Sequence, residues 1–456
     1  MAQSFNYSSF IWGVADKLRG TYRRADYGKV ILPFVVLRRL DCVLEATKAE
    51  VLRASAKTPE GNVARDFTLQ KLSGYSFYNT SPYDLTKAIG DPANLRQNLQ
   101  AYVSGFSHNV QDVFERYDFE TQLNKLDQAD LLLLITQEFL KVDLHPEAVD
   151  NSTMGHIFED LIGRAMEASN EEAGEYFTPR DVVRLMVNLL FARDDDVLSK
   201  PGVVRSIYDP TAGTGGMLSV AEDHIRELNP DAQLTLYGQE LNAESYAIAK
   251  TDLLIKGQSA ENMIWGDTLT DDGHWDKTFD YGLANPPFGV EWKKQQDDVT
   301  REHEQRGFNG RFGPGLPRVS DGSLLFLMHL VSKMRSVKDG GGRFGIVLNG
   351  SPLFTGGAGS GESEIRRWVL ENDLVEAIIA LPKDMFYNTG IATYIWLLDN
   401  DKPQERKGKV QLVDATQKFT KLRKNVGSKR NELSPANIEE TVRLYDAFEE
   451  TEDSKI

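Results

Sequence analysis

Asn285-Pro286-Pro287-Phe288 closes an apolar run, FDYGLA, that otherwise reads as a buried strand. Proline cannot donate to a sheet ladder, so the strand must end there. A side-chain amide, two rigid residues and an aromatic ring at a strand end are groups suited to holding a planar base. The amide oxygen of Asn285 can accept a hydrogen bond from an exocyclic amino group, and the prolines can aim the carbonyl of Pro286 at the other hydrogen. Such an amine is a poor nucleophile because its lone pair is delocalised into the ring. Two acceptors can fix it with that lone pair exposed to a methyl sulfonium. Phe288 can then stack on a base swung out of a duplex. Taken alone, the same four residues also describe a plain proline turn with a buried ring.

A second set decides between the two. In DPTAGTGGM, Asp209 ends a short strand, and Gly213, Gly215 and Gly216 lead into a helix. The glycines allow a tight turn and close approach of a ligand, and the helix-start amides favour electron-rich groups. The spacing G-x-G-G departs from the dinucleotide fingerprint G-x-G-x-x-G, and an acid ahead of the turn would repel a pyrophosphate. Asp209 can instead receive a cationic amino-acid moiety. Glu240, at the end of LTLYGQE, is placed to bind both ribose hydroxyls. Asp267, in NMIWGD, can take the exocyclic amine of an adenine. One ligand satisfies three acids and a glycine turn: S-adenosyl-L-methionine.

These residues need elements to carry them. Apolar residues at three-to-four spacing dominate up to about Val149, so residues 1–150 are expected to form a helical N-terminal domain. Cys42, in LRRLDCVLEAT, is expected at a buried helix position. Beyond Ser152 a helix is followed by NEEAGEYFTPR, where Thr178 reads as an N-cap and Pro179 as the first helical residue. From Val203 strands alternate with helices, which predicts a mainly parallel sheet covered on both faces. TYIWLLD and KVQLVDA, with no helix between them, predict an antiparallel edge. The expected division is 1–150 helical, 151–416 α/β, and 417–456 a C-terminal helical tail. Two glycine-rich insertions, GVEWKKQQDDVTREHEQRGFNGRFGPGLPRVSDG and TGGAGSGES, read as mobile loops. The tail holds a basic cluster, Lys421, Arg423, Lys424, Lys429 and Arg430, then a helix capped by Ser434.

A formal net charge of −16 bears on partners. An acidic chain repels polyanions on average, so a nucleic-acid substrate needs a local basic patch or a partner that supplies counter-charge. A single cysteine excludes an internal disulfide, and no ligand cluster for a metal is visible. With no signal-peptide pattern and no apolar run of bilayer length, a cytoplasmic protein that does not enter a membrane is expected.

Together DPTAGTGGM, YGQE and NPPF, in that order, resemble an amino-group DNA methyltransferase. AGEYFTPR, the helical N-terminal region and FIWGVADKLRGTYRRADYGKVILPFVVLRRLD are similar to the modification subunits of type I restriction-modification systems. The resemblance covers about Ser8 to Asp414. It implies a Rossmann-like S-adenosylmethionine-dependent methyltransferase domain, with a mostly parallel seven-to-eight-stranded sheet, preceded by an all-α domain. It implies methylation of adenine N6 in DNA. By match, Glu175, Tyr176, Phe177, Thr178, Pro179 and Arg180 would line part of the cofactor pocket. Thr211, Ala212 and Gly213 would meet the methionine end, and Glu240 the ribose. Asn285, Pro286, Pro287 and Phe288 would form the base clamp. It further implies a DNA-specificity subunit, a restriction subunit and a second copy of the chain in the complex. Some members are expected to continue with helical sequence that docks the specificity subunit.

Two rival readings follow from the same residues. An NPP-type clamp also suits cytosine N4 or a protein glutamine amide, although Lys293, Lys294, Arg301, Arg306, Arg311 and Arg318 in the long insertion favour nucleic acid. A cofactor-binding scaffold without turnover is the other, and the complete NPPF weighs against it.

Overall fold

The computed structural model describes residues 6–58, 62, 64–169, 178–194, 198–387 and 389–456. They form two compact units, one of residues 1–173 with 242–263 and the other of 174–241 with 264–456.

The first unit is helical and is organised around the helix Gly28–Leu44, which is buried along almost its whole length. Phe34 stacks on Phe139 and meets Phe119 edge-on, at centroid distances of 5.2 and 5.1 Å. Cys42 is buried on this helix, as its sequence context predicts. Arg39 is fully buried, and its guanidinium is held by the carbonyls of Leu144 and Val149 and by Asn151 Oδ1. A buried guanidinium is tolerated only with such a set of acceptors. The helix Ala243–Ile255, which follows the second strand in sequence, belongs to this unit. Lys250 and Tyr246 on it both bond Asp112 of the helix His108–Arg116.

The second unit is built on a nine-stranded sheet. Its strands are β1 (Val204–Asp209), β2 (Gln233–Glu240), β3 (Met263–Trp265), β4 (Tyr281–Ala284), β5 (Arg343–Asn349), β6 (Val375–Ala380), β7 (Thr393–Asp399), β8 (Gln411–Asp414) and, after the hairpin β9 (Thr420–Val426) and β10 (Lys429–Glu432), β11 (Ser454–Lys455). The order is β11-β8-β6-β7-β5-β4-β1-β2-β3. β1 is parallel to β2 and β4, and β4 to β5, so the carboxyl ends of β1, β2 and β4 share one rim. The edge strand β11 is antiparallel to β8, and β7, antiparallel to both its neighbours, lies between β5 and β6 rather than at the edge. Its burial explains the difference: every residue of β7 is buried except Tyr394, whereas β8 alternates buried and exposed. A strand covered on both faces belongs inside a sheet.

At the opposite end of the strands lies a buried charge cluster. β6 carries a bulge at Glu376, between Val375 and Ala377. A bulge re-aims a side chain, and this one sends the carboxylate to Arg343 (3.0 Å), Arg193, Arg406 (3.6 Å) and the Tyr445 hydroxyl (2.9 Å). Tyr445 lies on the helix Pro435–Ala447, which starts with a capping box between Ser434 and Asn437. No described helix is long and apolar enough to cross a membrane.

Both glycine-rich insertions are folded. In the first, Trp292, Val299 and Phe312 are buried in the main core cluster, and Gln296–Arg306 is a helix. Arg311 does not face solvent: its guanidinium bonds Glu302 and the carbonyls of Thr268 and Leu269. In the second, Ser360 caps the helix Gly361–Glu371, and Glu362 accepts from the Arg318 amide of the first insertion. A Cβ at Gly361 would fall 1.7 Å from the Leu316 carbonyl oxygen, so the two segments approach at a point only glycine permits.

Candidate cofactor and target-base site

β1 delivers Asp209 to the rim as its last residue, fully buried. Its Oδ1 accepts the Thr211 amide (2.9 Å) and hydroxyl (3.3 Å), while Oδ2 has no hydrogen-bond partner in the protein. Burial, aided by the Glu240 charge and opposed by the Thr211 bonds, pushes this carboxyl up to about 7.

The turn that follows requires its glycines. Gly213 and Gly215 both have positive φ, 54° and 82°, and Gly216 opens the helix Gly216–Leu228. The Gly213 amide donates to Glu240 Oε2 (2.8 Å), and Ala212 donates to the Gln239 carbonyl (3.0 Å). Glu240, the last residue of β2, is thereby clasped to the glycine turn. Its carbonyl accepts the Gly266 amide, which fixes the loop after β3. Asp267 sits in that loop with both oxygens in use: Oδ1 accepts the Leu269 amide (2.9 Å), and Oδ2 the Gln295 side chain (2.6 Å). The folded insertion therefore reaches the rim, and Gln295 is a site neighbour that the local sequence did not single out. Leu241 and Trp265 are further ones. Both are exposed, and the indole nitrogen of Trp265 donates to the Leu241 carbonyl next to Glu240.

Asn285 follows β4 directly. Its Nδ2 donates to Thr178 Oγ1 (2.8 Å), and its Oδ1 is buried without a partner. This corrects the expected role of Thr178. The helix Arg180–Phe191 starts at Pro179 with no side-chain cap, because the threonine hydroxyl is turned to Asn285. Pro179 and Pro286 are buried, and Arg180, Pro287 and Phe288 are half-buried. Phe288 is not without a core partner: it meets the buried Phe386 edge-on at 5.4 Å. Glu175, Tyr176 and Phe177 lie outside the described residues. One rim thus gathers Asp209, Thr211, Ala212, Gly213, Gly215, Gly216, Glu240 and Asp267, while Asn285 and Thr178 form a bonded pair at the adjacent strand end.

A sheet in which β3-β2-β1-β4-β5-β7-β6 lie in that order, with β7 antiparallel to both its neighbours, and a glycine turn between acids on its rim define a Rossmann-like, S-adenosylmethionine-dependent methyltransferase fold. The chain belongs to the N-6 DNA methylase family, whose profile matches residues 149–455; an HsdM N-terminal domain matches residues 7–139. It is a DNA methyltransferase directed at the N6 amino group of adenine. Over 98% of its length the chain is 26% identical to the type I restriction enzyme MjaIX methylase subunit of Methanocaldococcus jannaschii, of which it spans 78%. It is 29% identical, over 81% of its length, to the MjaVII methylase subunit of the same organism, and spans 59% of that protein. Its fold is shared with the type I restriction-modification methyltransferase subunit of Streptococcus thermophilus, at a TM-score of 0.74 and 24% identity, covering 99% of this chain and 95% of that one.

Proposed function

We propose that this chain is the modification subunit of a type I restriction-modification assembly, and that Asn285, Pro286, Pro287 and Phe288 hold the flipped adenine. The observation that carries the reading is the half-satisfied amide of Asn285. Thr178 takes its N–H, which fixes the amide plane in one orientation and leaves a buried acceptor open. A buried carbonyl oxygen without a donor is costly, and an amine hydrogen supplied by a ligand removes that cost. The Pro286 carbonyl takes the second hydrogen, and Phe288, braced by Phe386, packs on the base.

When bound, S-adenosylmethionine supplies a methyl group on a positively charged sulfur. Asp209 Oδ2 receives the ammonium of its amino-acid end. The Thr211–Gly216 turn lies along that end, Glu240 holds the ribose hydroxyls and Asp267 faces the adenine amine. Thr178, Pro179 and Arg180 form part of the same pocket. The domains are 1–150, a helical platform for partners; 151–416, the catalytic domain; and 417–456, the tail. DNA sequence is read by a specificity subunit, with a restriction subunit and a second copy of this chain in the full assembly, acting in the cytoplasm.

Asp209 gives the cofactor site a pH signature. With its carboxyl at about 7, an arriving ammonium must displace a proton below that pH and none above it. Cofactor affinity measured by calorimetry should therefore fall about tenfold between pH 8 and pH 6, with proton uptake or release visible in buffers of different ionisation enthalpy. A flat profile would remove Asp209 from contact with the ammonium.

The test of the whole reading is transfer of labelled methyl from S-adenosylmethionine to unmethylated DNA, with and without the co-expressed specificity partner. Label should appear in adenine and require the partner. Equal transfer without a partner would overturn the multisubunit assignment, and label in cytosine or protein would overturn the acceptor.

A further inference from the structure

We propose that the β9–β10 hairpin grips the sugar-phosphate backbone of the DNA beside the target-base site; this rests on the DNA-methyltransferase reading above. Residues 418–432 hold six basic residues and one acid, in a chain of net charge −16. The insertion 289–322, the other basic candidate, holds six of each sign and offers no net attraction. Elsewhere on the surface some exposed cations are matched by an acid three residues away, as in Arg19 with Asp16, Arg23 with Asp26, Arg301 with Asp298 and Arg367 with Glu364, while others, Lys293, Lys294 and Arg306 among them, are scattered among acids of the same segment. Lys421, Arg423 and Arg430 are exposed and have no ion-pair partner among the described residues.

The hairpin is also fixed where a DNA-contacting element would be needed. Lys429 is buried and spends its charge inward, on both oxygens of Asp181 (3.0 and 2.9 Å) and on the Met385 carbonyl (3.0 Å). Asp181 lies three residues after Thr178, the partner of Asn285. The Ser428 amide donates to the Tyr387 carbonyl (2.7 Å), and the Arg430 and Asn431 amides to the Asp384 carbonyl (2.9 and 3.2 Å). Between Asp384 and Tyr387 sits Phe386, which braces Phe288. Both anchors thus lead within a few residues to the base clamp. Lys421 and Arg423 are two apart on β9, so their side chains share one face at a spacing of roughly 7 Å. A rigid ribbon with unmatched cations in a row suits a backbone of regularly spaced phosphates.

The experiment uses the full-length chain co-expressed with its specificity partner. It compares wild type with the triple variant Lys421→Gln, Arg423→Gln, Arg430→Gln, leaving Lys429 intact. Duplex binding is followed by fluorescence anisotropy over a series of salt concentrations. At the lowest salt, affinity should fall ten- to a hundredfold, equally for duplexes with and without the recognition site. The slope of log affinity against log salt should become shallower by about 3, close to 0.9 per lost phosphate contact. Cofactor affinity should not change. Should the triple variant melt early, Arg423→Gln alone must still make the slope shallower by about 1. An unchanged slope and affinity would overturn the proposal. So would loss of co-purification with the specificity partner at unchanged DNA slope, which would make the hairpin a protein dock. If the wild-type complex itself neither binds nor methylates DNA, the underlying functional reading fails instead.

Discussion

Asn285→Ala should lower methyl transfer to DNA by about a thousandfold or more while leaving cofactor affinity within about twofold of wild type. The size follows from what the side chain does. Removing one preorganised hydrogen-bonding group from a reacting centre typically costs about a hundred- to a thousandfold in rate. Here the lost group also orients the nucleophile, so the upper end of that range applies. The Asn285 Nδ2 donates to Thr178 rather than to the residues around Asp209, which is why cofactor binding should survive. Thr178→Val provides the control for positioning. It keeps the acceptor but frees the amide to rotate, so its loss in transfer rate should be smaller than that of Asn285→Ala. Single-turnover transfer with saturating cofactor, beside calorimetry on the same samples, separates rate from affinity. Transfer by Asn285→Ala within about tenfold of wild type would show that the amine is held by other groups.

The rim was readable before the fold because its residues punctuate the chain. Asp209, Glu240, Asp267 and Asn285 each sit where a short apolar run ends, and at Asp209, Asp267 and Asn285 an adjacent glycine or proline marks the turn. Local sequence failed where a distant residue decides. Thr178 has every mark of an N-cap, yet a residue 107 positions away claims its hydroxyl. The ring that Phe288 meets, Phe386, lies in another loop, which no local pattern reports. The first insertion reads as mobile because its buried Trp292, Val299 and Phe312 follow no helix or strand period, and because its charges pair internally, Arg311 with Glu302.

Two misplacements had a signal that could have been used. TYIWLLD is nearly continuously apolar, and such a strand is an interior one, while the alternating QLVD has one exposed face and lies one strand in from the sheet edge, beside β11. The hairpin β9–β10 was hidden because lysine and arginine are poor strand formers. Gly427-Ser428 between two short runs is nonetheless a two-residue hairpin loop, and Gly427 has a φ of 58°. Its identity as a strand pair depends on docking against Asp384 and Tyr387, which no local pattern reports.

The second large effect is on stability, at the opposite end of the sheet. Glu376→Ala should destabilise the catalytic unit by about 3–5 kcal/mol, the range seen when one member of a buried ion cluster is removed. Deletion of this carboxylate leaves Arg343 and Arg406, both buried, and the partly buried Arg193 without their shared counter-ion. Asp399 remains, at 3.4–3.6 Å from two of them, and Asp194 at 4.0 Å from Arg343, but neither acid reaches Arg406. The Tyr445 hydroxyl also loses its acceptor, which loosens the helix Pro435–Ala447 from the sheet. Acid should act on the same contact. Burial opposes the charge of Glu376, yet Arg343, Arg193 and Arg406 outweigh it and hold the carboxyl at about 2. A carboxylate depressed in the folded state contributes stability above its unfolded value of about 4.5, and that contribution is lost as pH falls through 2. Wild type should therefore lose more stability than Glu376→Ala between pH 5 and pH 2. Five of the six tryptophans lie in the catalytic unit, so urea unfolding followed by tryptophan fluorescence reports on it. A shift below about 1 kcal/mol would mean that the three arginines find other partners or water, and that the bulge at Glu376 is dispensable.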